Sequence, residues 1–123
     1  MKTAKTTKTI LFASIILVLV LFSPIVKSQD NPTSAEIKIK TSAVCGMCKE
    51  TIESNLVFEK GIKILSLDVK SGILTVTYNP KKITPEKIRI AVSRLGYDAD
   101  EIPADEKAYN KLSSCCKKNN APH

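Results

Sequence analysis

Apolar and charged residues alternate along Ala35-Glu36-Ile37-Lys38-Ile39-Lys40, a period of two that predicts a half-buried strand over about Ala35–Ser42. The period then changes. Cys48, Ile52 and Leu56 recur every fourth residue with Lys49, Glu50 and Glu53 between them, which sets one apolar stripe on a helix running to about Phe58. Glu59-Lys60-Gly61 stops that helix at a glycine. Ile62–Val69 and Ile73–Tyr78 are β-rich and separated by the short turn Lys70-Ser71-Gly72, so they read as a hairpin. Leu65, Leu67 and Val69 share one face of its first strand, and Leu74, Val76 and Tyr78 share one face of its second. Ile64 beside Leu65 breaks the alternation and predicts a bulge.

Asn79-Pro80 ends the hairpin, and Thr84-Pro85-Glu86 opens a second helix with a capping hydroxyl, proline at its first position and an early acid. Its stripe is Ile88, Ala91, Val92 and Leu95, and Gly96 closes it. Tyr97–Ile102 is a polar last strand suited to a sheet edge. The order β-α-β-β-α-β predicts an α+β, ferredoxin-like sandwich: a four-stranded antiparallel sheet with both helices on one face. That domain covers residues 35–102. Residues 103–123 extend beyond it, with a short helix over Asp105–Leu112 that sets Ala108, Tyr109 and Leu112 on one side. Ser113-Ser114-Cys115-Cys116-Lys117-Lys118 and the residues up to His123 read as a mobile tail.

The 28 residues at the start obey different rules. Lys2, Lys5 and Lys8 precede an uninterrupted apolar and small-residue run, Ile10–Phe22, which Ser23-Pro24 breaks before Val26-Lys27-Ser28. This is the layout of a cleavable signal peptide over residues 1–28, and it places the mature protein in a periplasm or outside the cell. The alternative is an N-terminal membrane anchor, although the run is shorter than the ~20 residues a span needs. With cleavage, the formal charge of +7 on the whole chain changes. Four of its 19 basic residues leave with no acid, so 15 face 12 and the balance is +3. The remaining lysines form no basic run and have no interleaved aromatics, which argues against nucleic acid and for a solvated surface. After cleavage no membrane contact is expected, and the chain is expected to be a monomer.

The chemistry rests on the four cysteines. They stand as two close pairs, Cys45/Cys48 and Cys115/Cys116, rather than scattered through loops as in a disulfide framework. Cys45-Gly46-Met47-Cys48 lies where a strand hands over to a helix, and the unpaired N–H groups there favour a thiolate. Such a pair can clamp a soft metal, exchange disulfides or form an inert bridge. Two thiolates suit Cu(I) or Hg(II) as bound cargo, whereas Zn(II) asks for four ligands. An exposed two-coordinate ion is also open to attack by a partner's thiols. Adjacent cysteines bridge only under strain, so Cys115 and Cys116 are left with other uses: an auxiliary soft-metal site, a tail folding back on Cys45 and Cys48, a bridge to another molecule, or no dedicated role. No Ser/His/Asp set, phosphate-cradling loop or histidine within the domain points to an enzyme.

The CxxC loop between the first strand and first helix, the hairpin lengths, and Leu95-Gly96-Tyr97-Asp98-Ala99 together resemble the heavy-metal-associated domain family. That family includes small copper chaperones, metal-binding modules of copper-exporting ATPases and the periplasmic mercuric-ion binding protein, and a leader on a single such domain is most similar to the last. The resemblance implies capture of Cu(I) or Hg(II) by Cys45 and Cys48. It also implies transfer by ligand exchange to a metal-transporting membrane protein or another thiol-bearing carrier, or else sequestration. Tyr97 is then expected to cover one side of the metal loop from the second shell. Ala43 departs from the family's usual methionine, and Met47 is placed to supply the missing bulk. The competing reading is a small exported thiol–disulfide oxidoreductase. Against it stand the absence of tryptophan, Val44 before Cys45, and a hairpin where a thioredoxin would place another strand–helix unit.

Overall fold

In a computed structural model, residues 33–118 are described; the expected leader and His123 lie outside them. The first alternating run is strand β1, Ala35–Lys40, and the hairpin is β2, Ile62–Asp68, with β3, Ile73–Tyr78. β3 is central: the sheet order is β1-β3-β2, with both pairings antiparallel. Register follows the side-chain pattern. Ile39 and Leu67 both sit opposite Leu74, and Ile37 and Leu65 both sit opposite Val76, so one face of the sheet collects the branched aliphatics. The bulge expected at Ile64 is present as a register shift between Ile62 and Ile64, and it leaves Ile64 exposed.

Helix α1, Gly46–Leu56, buries Cys48, Ile52 and Leu56, the stripe read from the sequence. Helix α2, Pro85–Arg94, starts from Thr84, whose side chain accepts the Lys87 N–H, and buries Ile88, Val92 and Ser93. Ala91 and Leu95 lie at the margin of the core. Both helices share one apolar cluster with Ile39, Leu67, Leu74, Val76 and Tyr78, which puts them on the same face of the sheet. Each such aliphatic side chain removed from water contributes about 1.5–3 kcal/mol, so this cluster stabilises the domain without disulfides.

The architecture is α+β and ferredoxin-like, but the sheet has three strands where the pattern predicted four. Tyr97–Ile102 follows β1 only briefly. Ala99 makes one antiparallel bridge with Thr41, and Asp100 exchanges hydrogen bonds with Lys40, its N–H to the Lys40 carbonyl and its Oδ1 accepting the Lys40 N–H. Asp100 then turns through φ 51°, a left-handed value that aspartate tolerates better than most residues. Ala99 and Ile102 exchange both backbone hydrogen bonds across the resulting turn, so the chain curls off the edge after a single pair. The Asp100 carboxylate holds Arg89 at 2.7 Å and fixes that turn to α2.

The C-terminal extension is folded against the domain rather than loose. Helix α3, Glu106–Lys111, is capped by Asp105, whose carboxylate accepts the Ala108 N–H at 2.9 Å and whose own N–H reaches the Ser93 carbonyl of α2. A short 3₁₀ turn, Ser114–Cys116, follows and buries Cys116. Gly96 makes this docking sterically possible: its φ is +100°, and a Cβ there would lie 2.9 Å from the backbone of Ala108 and Tyr109. Among the described residues no helix is long and apolar enough to cross a membrane.

Candidate metal centre

The loop carrying the first thiol is pinned at each step. Thr41 donates its N–H and its hydroxyl to the Gly72 carbonyl, each at 2.8 Å, and its Oγ1 accepts the Ala43 N–H. Ser42 Oγ accepts the Asp98 N–H at 2.9 Å. Ala43 is buried in the core. The chain thus arrives at Cys45 in extended conformation (φ −148°, ψ 170°) as the residue that caps α1. Cys48 falls on the first turn and points inward as the top of the α1 stripe. Their sulfurs lie 3.1 Å apart, Cys45 half-buried and Cys48 wholly buried.

The other thiols join them. Cys45 Sγ is 3.6 Å from Cys115 Sγ and 3.5 Å from Cys116 Sγ, and the last two are 3.9 Å apart. All four cysteines are free thiols. Of the uses left open for Cys115 and Cys116, the structure has the tail folding back on the CxxC loop. Asp98 joins the two parts. Its N–H engages Ser42 beside the loop, its Oδ1 accepts the Ala104 N–H, and its Oδ2 meets Lys118 Nζ at 2.7 Å. Lys118 N–H also reaches the Tyr109 hydroxyl.

The sulfurs do not ionise alike. Burial pushes the Cys45 thiol up, but hydrogen bonds from the Cys48 side chain and N–H, and from Cys116 and Cys115, outweigh it and pull the pKa down to about 7. Cys116 is pushed well up by burial and by its neighbours Cys48 and Cys45. Cys115 is raised by sharing a hydrogen bond with Cys45 and then by burial. Of the three thiols so shifted, Cys45 is the one that ionises most readily. A lowered pKa means the folded state favours the thiolate. Its stabilising effect is complete above the ordinary thiol range and is lost as pH falls through about 7. Alkylation of the reduced protein by iodoacetamide should start at Cys45 with a rate half-maximal near pH 7, falling about tenfold per pH unit below that. Peptide mapping by mass spectrometry reads the order of labelling, and first labelling at Cys115 or Cys116 would contradict this charge distribution.

Tyr97 and Met47 take different places from each other. Tyr97 is fully buried, and its hydroxyl makes no hydrogen bond of normal geometry. It lies near enough to Cys116 and Cys48 that burial, followed by those thiols, holds its pKa far above the ordinary phenol. Core packing and contact with the thiols are thus both true of it. Met47 does not supply the bulk missing at Ala43. As the second residue of α1 it points outward, is 53% exposed, and brings Sδ within 3.5 Å of Cys115 Sγ. Sequence reasoning missed this sulfur contact and the Thr41, Ser42 and Asp98 anchors. A serine and a threonine just before a CxxC loop were the available signal for the anchors.

Residues 39–98 match the heavy-metal-associated domain family. They form a heavy-metal-associated domain. Copper-transporting ATPase 2 of Homo sapiens is 33% identical over 58 residues, 47% of this chain and 4% of that protein. The zinc-transporting ATPase of Synechocystis is 40% identical over 74 residues, 60% of this chain and 10% of that protein. The chain thus spans only a small part of the curated relatives it matches. Among solved structures, the N-terminal domain of a potential copper-translocating P-type ATPase from Bacillus subtilis, in its Cu(I)-loaded state, superposes with a TM-score of 0.52 at 25% identity. That match covers 55% of this chain and 85% of that domain. The heavy-metal-associated domain match ends at residue 98, so the segment carrying Cys115 and Cys116 lies beyond it.

Proposed function

We propose that the chain is an exported carrier of a soft metal ion, capturing Cu(I) with Cys45 and Cys48 and passing it on by ligand exchange. Hg(II) is a second cargo of the same coordination chemistry. The observation that carries this reading is a half-buried Cys45 sulfur, ionised near neutral pH, 3.1 Å from a second thiol at the start of a helix. A thiolate is the nucleophile toward a metal held by a donor. Cys45 displaces one of the donor's ligands first, Cys48 then displaces the other, and the helix N-terminus faces the resulting charge. Release runs the same sequence backwards when an acceptor's thiolate approaches from the open side of Cys45. The copper- and zinc-transporting ATPases among the relatives support a metal-transporting membrane protein as the acceptor or donor.

The short sulfur–sulfur distance and lowered pKa also suit thiol–disulfide exchange, and one experiment separates the readings. The reduced protein is titrated anaerobically with Cu(I) against a competing chelator, beside a Cys45→Ser/Cys48→Ala variant. One-to-one binding that the variant loses supports the carrier. Binding no tighter than that of an unstructured dithiol peptide rejects it and turns attention to the reduction potential of the pair. Export rests on the leader read in residues 1–28. N-terminal sequencing of the secreted product is expected to begin at Gln29, and a product beginning at Met1 rejects cleavage.

A further inference from the structure

We propose that Cys115 and Cys116 complete a single four-sulfur site with Cys45 and Cys48, and that with the C-terminal turn docked this site takes a tetrahedral divalent ion of the zinc and cadmium class. The proposal rests on the dithiolate reading above for Cys45 and Cys48 and extends it. Neither the domain match nor the CxxC motif accounts for the second pair, which stands beyond residue 98.

The sulfur spacings carry the argument. With metal–sulfur bonds of about 2.3 Å, the corners of a tetrahedron lie roughly 3.8 Å apart, whereas two sulfurs on opposite sides of a linear ion lie roughly 4.6 Å apart. Cys45–Cys116, Cys45–Cys115 and Cys115–Cys116 stand at 3.5, 3.6 and 3.9 Å. These are tetrahedral edges already. The Cys45–Cys48 pair at 3.1 Å opens by only about half as much for a tetrahedral ion as for a linear one. Cys45, Cys115 and Cys116 bring their sulfurs within 4.8 Å of one another, the arrangement of a metal-ligating group; Cys48 stands outside that trio, 3.1 Å from Cys45, and joins it as the fourth sulfur when the ion binds.

A second observation points the same way. The Tyr97 hydroxyl is buried without a hydrogen-bond partner in a residue that is 0% exposed, and an orphaned buried donor is costly. It lies beside Cys116, Cys48 and the Thr51 side chain. A metal-bound thiolate is a hydrogen-bond acceptor where a protonated thiol is a poor one, so loading makes the neighbouring sulfurs better acceptors for this hydroxyl. Four thiolates around a divalent ion leave two net negative charges. The α1 N-terminus and the Cys48 N–H, which already supports the Cys45 sulfur, meet them from one side. The tail adds Lys117 and Lys118, both near the Tyr109 ring, with Lys118 also paired to Asp98. Cys48 and Cys116 are buried and Cys45 and Cys115 partly exposed, so an ion enters from the side where Met47 lies.

Cd(II) is the probe, because its bonds to thiolate absorb in the near ultraviolet in proportion to the number of sulfurs bound. The reduced full chain is titrated anaerobically with Cd(II), and separately with Cu(I), each against a chelator. The Cys115→Ser/Cys116→Ser variant is run beside it. One Cd(II) with the absorbance of four thiolates is expected for the full chain. The variant should give half that absorbance and an affinity lower by on the order of 10²–10⁴-fold, the usual loss when a tethered second dithiol is removed. Cu(I) binding should remain one-to-one in both. Since Cys116 is buried, Cys115→Ser alone serves as a second variant at a partly exposed position, and it should lose a quarter of the absorbance. Equal Cd(II) absorbance and affinity in the full chain and both variants, with Cu(I) still bound, overturns the four-sulfur site and leaves the dithiolate standing. Failure of the full chain to bind Cu(I) overturns the dithiolate and this proposal with it.

Discussion

Replacing Cys45 with serine is expected to cost Cu(I) affinity on the order of 10²–10⁴-fold, and replacing Cys48 with alanine about tenfold less. The difference follows from where the two sulfurs stand. Cys45 lies within 3.1–3.6 Å of each of the other three sulfurs and carries the thiolate. Without it the remaining sulfurs lose the one that all three neighbour. Without Cys48, the Cys45 thiolate still has Cys116 at 3.5 Å and Cys115 at 3.6 Å, and either can serve as the second ligand. Alanine is the better replacement at position 48, because Cys48 is wholly buried and a serine hydroxyl there would go unpaired at about 1–3 kcal/mol. Competition titrations of the two variants read the difference directly. Equal losses would mean that the tail thiols never substitute, and a larger loss for Cys48→Ala would move the centre of the site to the buried sulfur.

That asymmetry was not legible in the sequence, although most of the fold was. Strand β1 and the stripe of α1 are single-period signals, and Ile39, Cys48, Ile52 and Leu56 follow from the periodicity alone; Met47, off that stripe, is exposed. The irregularity at Ile64 was legible for the same reason, since two adjacent apolar residues cannot share one face of a regular strand. Tyr97–Ile102 failed where local pattern carries little information. Its one bridge to β1 depends on Asp100 turning left-handed and on Arg89 from α2 holding the carboxylate, and neither contact is local. The tail divides in the same way. Its helix could be read from the Asp105 cap and the spacing of Ala108, Tyr109 and Leu112. Its docking could not, because that depends on Gly96 offering a side-chain-free surface to the backbone of Ala108 and Tyr109, and on Asp98 reaching Lys118. The candidate site was half legible for this reason. A motif announces two ligands spaced within one turn, and ligands some 70 residues apart are announced only by the packing between them.

Loading the reduced protein with metal should raise its unfolding temperature by roughly 16–32 °C, taking about 4 kcal/mol of stabilisation at 1,000 times the dissociation constant and about 4–8 °C per kcal/mol for a domain of this size. The sulfurs come from the loop after β1, the first turn of α1 and the turn after α3, so a bound ion cross-links elements that the unfolded chain separates. The unfolded chain keeps its four thiols, however, and metal bound to them offsets the gain. The shift therefore reports how much better the folded cluster holds the ion than the same sulfurs on a loose chain. Preorganisation is what the structure supplies: a pinned loop, a capped helix, and a tail held by Asp105 and Asp98. Cys45→Ser is expected to show little shift, and the Cys115→Ser/Cys116→Ser variant an intermediate one with Cd(II). Thermal unfolding followed by circular dichroism, with and without excess metal, makes the measurement. An unchanged midpoint in the unaltered protein would show that folding gives the thiols no advantage, and a carrier could not then be assigned to this site.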